Sequence, residues 1–223
     1  MTDIQDRLLD AALLHVVFDG WSTATLRAAA ADADISRAEA NDAFPRGGVD
    51  MALAFHRRGD AELVAKLRAA DLSEMRIRER IAFAVRTRLE IAEPNKEAVR
   101  RASTLFALPI YAADGARAVW ETADAIWEAL GDPSDDYNWY TKRATLSGVL
   151  SSTVLFWLGD TSEDHGASWE FLDRRIDDVM RIEKLRAQAE GNRFLQPFLA
   201  GPNWVLSFIK PPSRTPRSDL PGS

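Results

Sequence analysis

At 223 residues the chain is long enough for one large domain or a small head on a larger body, and its 46% hydrophobic and 28% charged content is that of a folded protein. A formal charge of −6 disfavours nucleic acid as a bulk partner, since binding to phosphates draws on a surplus of basic side chains. Cysteine is absent, which excludes disulfides, thiolate metal sites and cysteine nucleophiles.

Met1 leads into a charged, helix-like stretch with neither an apolar signal core nor an Arg-rich transit segment, and a cytoplasmic location is expected. Helical periodicity recurs along the chain and no run alternates at period two, so the fold is expected to be all-α. Ile4, Leu8, Ala11, Ala12 and His15 share one face of a first helix that stops at Gly20. Thr25 is expected to cap a second helix and Ser36 a third, which ends at Phe44-Pro45. Three short helices with tight turns are the layout of a helix-turn-helix head, assigned to residues 1–47.

Gly47-Gly48 opens the body, residues 48–190. A long helix from Val49 carries Phe55, Leu63, Val64 and Leu67. The next is marked by Ile77, Ile81, Val85 and Leu89 and ended by Pro94, and a short one runs to Phe106. Ala116, Val119, Trp120, Ala123, Ile126, Trp127 and Leu130 form the cleanest stripe, stopped by Gly131. Asn138 to Leu158 is apolar around most of its circumference, which calls for burial on both sides, and its neighbour carries Trp169, Leu172, Ile176 and Val179. Residues 191–223 form an aromatic segment cut by Pro197, Gly201 and Pro202, followed by a Pro- and Ser-rich tail that reads as disordered.

Catalytic constellations are missing. His15, His56 and His165 are the only histidines, none stands in Glu-x-x-His, and no Gly-x-Ser-x-Gly elbow or phosphate-cradling glycine loop occurs. His15 reads as a core residue on the buried face of its helix. No enzyme, cofactor or metal is expected.

The head resembles that of the TetR family in Ala11, Ala12, Gly20, Thr25, Leu26, Ala30, Ser36, Phe44 and Pro45. Where that family's recognition helix carries its Tyr, His and Lys contacts to DNA phosphates, this sequence has Asn41, Ala43 and Gly47. The helix bears Glu39 and Asp42 against Arg37, so the head keeps its structural residues and lacks its contact residues. The body, from Trp120 to Met180, resembles the ubiquinone-biosynthesis accessory proteins of the Coq-nine type. The resemblance lies in Asp124, Ile126-Trp127, Gly131-Asp132, the run Asn138 to Arg143, Ser151-Ser152-Thr153 and the stretch from Trp169 to Met180. It implies a TetR-like, all-α fold and a non-catalytic carrier of an isoprenoid quinone precursor or a phospholipid. The implied partner is a di-iron, Coq-seven-type demethoxyubiquinone hydroxylase at the inner face of the cell membrane.

On this reading Trp120, Ile126, Trp127, Leu146 and Leu150 are candidates to bind lipid, apolar side chains being what such pockets use. Adjacent aromatics on a helix differ by roughly 100°, so Trp139 and Tyr140 cannot both face the core. With Lys142 and Arg143 beside them they form a candidate partner-binding patch, though Trp139 as core and Arg143 paired with a nearby acid remain the plain alternative. Phe194 and Phe198, then Trp204 and Phe208, stand one helical turn apart in a segment too short to cross a bilayer and are candidates for contact with the membrane surface. A homodimer is expected through the last two body helices, with Gly148, Ser151 and Ser152 as a small-residue strip. A ligand-sensing repressor of the TetR type is the alternative function.

Overall fold

The computed structural model describes residues 2–135 and 137–190, with side chains described through Arg181. The candidates Phe194, Phe198, Trp204 and Phe208 lie outside the described residues. Side-chain caps set where the head helices begin. Helix α1 (Asp3–Asp19) starts on a capping box between Thr2 and Gln5. Helix α2 (Thr23–Asp32) starts at Ser22, whose hydroxyl accepts from the Thr25 amide at 3.2 Å. Thr25 is therefore not the cap: it lies inside the first turn, buried, and donates to the Gly20 carbonyl at 2.6 Å. Helix α3 (Arg37–Ala43) starts at Ser36 as expected, and Glu39 closes the box by accepting from the Ser36 amide at 3.1 Å. These hydrogen bonds hold the Glu39 carboxyl below its ordinary pKa.

The buried stripe of α1 is Leu8, Leu9, Ala12 and Val16, which leaves His15 at its edge, 2.6 Å from Asp32, rather than in the core. The head core gathers these residues with Trp21, Leu26, Ala29, Phe44, Met51 and Ala52, and it also takes in Ala54 and Ala98. It does not stop at residue 47, because the next helix, α4 (Gly48–Ala69), begins inside it. A Cβ on Gly48 would stand 2.2 Å from the Trp21 carbonyl oxygen, so α4 approaches the α1–α2 turn as closely as a glycine permits.

The body continues with α5 (Ile77–Ala92), a 3₁₀ turn at Glu93–Asn95, α6 (Lys96–Phe106), α7 (Ala112–Ala129) and α8 (Tyr137–Gly159). A second 3₁₀ turn, Glu163–His165, leads into α9 (Gly166–Glu190). Among the described residues every regular element is helical, and no described helix is long and apolar enough to cross a membrane. A separate core joins Leu63 and Leu67 of α4, Val85 of α5, Ala123 and Ile126 of α7, Leu146, Val149 and Leu150 of α8, and Leu172 and Ile176 of α9.

A buried polar cluster ties α4 to α5 and α7. Arg88 donates to Asp60 at 2.8 Å and to the His56 carbonyl at 3.1 Å, and Thr122 donates to Asp60 at 2.9 Å. A Cβ on Gly59 would come within 2.8 Å of the Arg88 guanidinium, which explains the glycine in the middle of α4.

The expectation that α8 is buried on both sides is not met in the single chain. Its inner face packs on α7 and α9, whereas Ala144, Gly148, Ser151 and Leu155 are exposed, Leu155 by 64%.

Candidate functional site

The corner between α7 and α8 gathers most of the sequence-predicted site. Helix α7 ends in a paired turn in which Asp132 N–H donates to the Trp127 carbonyl at 3.0 Å and Gly131 N–H to that of Glu128 at 3.0 Å. Gly131 adopts φ +74°, which such a turn asks of its αL residue. The reversal brings the first turns of α8 back onto α7.

Asp132 becomes the hub of the corner. It accepts from Lys142 at 2.7 Å, from the Ser134 hydroxyl at 2.9 Å and from Arg143 at 3.2 Å. Burial pushes its carboxyl up, but the bonds from Lys142, Ser134 and Arg143 outweigh that and leave its pKa below the ordinary carboxylate value. Arg143 also donates to Asp124 on α7 and to the Trp139 carbonyl, and its guanidinium lies 4.0 Å from the Trp139 ring centroid.

This geometry corrects the expectation for the charged half of the partner patch. Arg143 is fully buried, since two carboxylates and an aromatic face draw it inward, so it offers no surface to a partner. Lys142 is half-buried and directed at Asp132, with its ammonium 5.2 Å from the Trp127 ring. Trp139 is buried at 9% exposure, whereas Tyr140 is half-exposed and is the aromatic that turns from the core.

Trp120, one of the lipid candidates, lies beside the patch. Its ring centroid lies 6.0 Å from that of Trp139 and 6.4 Å from that of Tyr140, and Trp139 meets Tyr140 edge-on at 4.7 Å. Ile126, Trp127, Leu146 and Leu150 stay together in the body core. The plain alternative, Trp139 in the core and Arg143 paired with a nearby acid, is what the structure shows, and what sequence reasoning did not name was Asp124 as that partner and Asp132 as the hub. The signal available was a run of polar residues in a short turn next to a buried-helix pattern.

The fold and this corner define a TetR-like helical protein whose C-terminal body helices carry the distinctive residues. Its fold matches a solved TetR transcriptional regulator from Nitrosomonas europaea with a TM-score of 0.65 at 20% identity, over 79% of this chain and 97% of that one. The COQ9 family model matches residues 112–183, which are α7, α8 and most of α9. The ubiquinone biosynthesis protein COQ9, mitochondrial, of Drosophila melanogaster is 32% identical over 192 residues, covering 84% of this chain and 59% of that protein. Its Homo sapiens counterpart is 31% identical over 186 residues, covering 80% of this chain and 58% of that one. The chain is similar to the COQ9 family, whose model it matches through the C-terminal body helices. It spans about three-fifths of the length of these relatives.

Proposed function

We propose that this protein is a lipid-binding accessory factor of ubiquinone biosynthesis. In this reading its helical body takes up an isoprenoid quinone precursor or a phospholipid and presents it to a di-iron hydroxylase at the membrane surface. What carries the reading is the coincidence of the COQ9-matched segment with helices whose facing sides are apolar and between which an aromatic cluster lies. The matched relatives are named for ubiquinone biosynthesis.

The body supplies the apolar environment through Ile126, Trp127, Leu146 and Leu150, and Trp120 and Tyr140 form the half-exposed aromatic surface that suits a protein partner. The protein assists chemistry that the partner performs. Phe194, Phe198, Trp204 and Phe208 supply the membrane contact.

The repressor alternative has the fold but not the charge. Helix α3 commits Glu39 to its cap and carries Asp42, and Arg37 is its only cation.

Organic extraction of the purified protein followed by mass spectrometry tests the lipid reading. An isoprenoid quinone precursor or a phospholipid at near-stoichiometric amount is expected. A protein that is empty and takes up neither from vesicles overturns the reading.

A further inference from the structure

At the opposite end of α8 from the aromatic corner, roughly 27 Å along the helix, a buried donor and a buried acceptor stand beside each other without partners among the described residues. Trp157 is fully buried, and neither its indole Nε1 nor the Nδ1 of His165 finds a hydrogen bond among the described residues. The two rings meet edge to face with centroids 6.1 Å apart, and Trp169 flanks His165 at 6.2 Å. Buried polar atoms without partners are uncommon and call for an explanation.

The tautomer decides what would satisfy them. His165 Nε2 lies 3.0 Å from a Glu93 carboxylate oxygen and donates to it, so when the ring carries a single proton that proton sits on Nε2. Nδ1 is then a lone-pair acceptor, whereas an indole N–H can only donate. A group completing both must accept from Trp157 and donate to His165. A ketone, an ether or an ionised phosphate oxygen can do only the first. The turn carrying His165 holds Asp164 and His165 at φ +49° and +57°.

We infer that Trp157 Nε1 and His165 Nδ1 form a recognition point for a hydroxyl group on the ligand of the body. The inference rests on the lipid-binding reading and refines it. The hydroxyl is that of a phenolic ring or of a glycerol head group.

The test uses the ¹⁵N-labelled full chain, with the Trp157 indole resonance assigned by its loss in Trp157→Phe. Three probes are titrated: guaiacol, which has a ring hydroxyl; 1,2-dimethoxybenzene, the same ring without the donor; and 1-octanoylglycerol below its micelle concentration. Guaiacol or octanoylglycerol is expected to move the Trp157 resonance saturably and to bind about 3- to 10-fold tighter than dimethoxybenzene, the factor of one net hydrogen bond. Which of the two does so separates the ring from the glycerol source. His165→Gly keeps the left-handed backbone accessible and is expected to abolish the preference while the Trp157 signal remains readable.

Dimethoxybenzene binding as well as guaiacol while octanoylglycerol is silent would overturn the inference. So would a Trp157 resonance that none of the three probes moves, the result of a site that holds water alone. A protein that carries no lipid yet keeps the hydroxyl preference would sink the lipid-binding reading and leave this site standing.

Discussion

Arg143 is held between Asp124 and Asp132 with no exposed surface, and Asp132 itself is almost wholly enclosed. Removing the guanidinium would leave the enclosed Asp132 with Lys142 as its remaining cation and the partly exposed Asp124 without its partner. Arg143→Met is therefore expected to cost about 1–3 kcal/mol, the range for leaving buried hydrogen-bonding groups short of a partner. A urea midpoint within error of the wild type would contradict this. Tyr140 sits beside this cluster but is half-exposed, so Tyr140→Ala is expected to leave the urea midpoint nearly unchanged and to weaken capture of the proposed hydroxylase partner. Undiminished pull-down by the variant would remove Tyr140 from the partner surface. Trp139, being buried, does not offer the same clean test: its truncation is expected to destabilise the corner. The sequence shows that the two adjacent aromatics must diverge, but not which one turns inward. Arg143, one turn after Trp139, decides this by lying against the Trp139 ring.

Helix α4 crosses from the head core into the body core and is pinned midway by the cluster of His56, Asp60, Arg88 and Thr122. The His56 imidazole donates or accepts at 2.7 Å from the Thr122 hydroxyl and lies 3.4 Å from Asp60. Burial pushes its pKa below the ordinary value. Asp60 opposes that shift and Arg88 adds to it. A depressed folded-state pKa means that the unfolded chain takes up the proton first. The contribution of His56 is then complete above about pH 6.5 and is lost as pH falls through that value toward the lower pKa of the folded state. The urea midpoint is expected to drop between about pH 7.5 and about pH 5.5, and His56→Gln is expected to flatten part of that drop. A variant with the wild-type slope would show that another group is responsible. Helix boundaries at this scale were legible wherever glycine, proline or a Ser cap marked them, as at Ser36, Gly47 and Pro94. The start of α2 was misplaced because Ser22 and Thr25 are both suitable caps, and the choice depends on the Thr25 hydroxyl reaching the Gly20 carbonyl.

For the whole molecule, the open side of α8 departs from what the pattern of apolar residues requires. Ala144, Gly148, Ser151 and Leu155 lie along it, and at its rim Phe156 stacks on Phe171 of α9 with centroids 4.5 Å apart. A helix apolar around its circumference needs cover on both sides, and a second copy of the chain would supply it in a homodimer. Leu155 is 64% exposed, so Leu155→Glu is expected to change the stability of the single chain little, within about 0.5 kcal/mol. The same substitution would place like charges across a two-fold interface and shift light scattering from dimer to monomer. A wild-type protein that scatters as a monomer across the micromolar range would refute the interface.

Periodicity, caps and breakers are local properties, and from them the sequence by itself determined an all-helical chain, the three-helix head and the order of the body helices. It also determined that α3 is acidic where a DNA reader would be basic, since charge is written in composition. Tertiary structure alone decided which polar residues meet. Arg143 and Asp124 are 19 positions apart, Arg88 and Asp60 are 28 apart, and Trp157 faces His165 only because a strained turn folds α9 back on α8. Such pairings depend on how helices cross, and a helix's own periodicity shows which face is apolar without saying which neighbour that face will find.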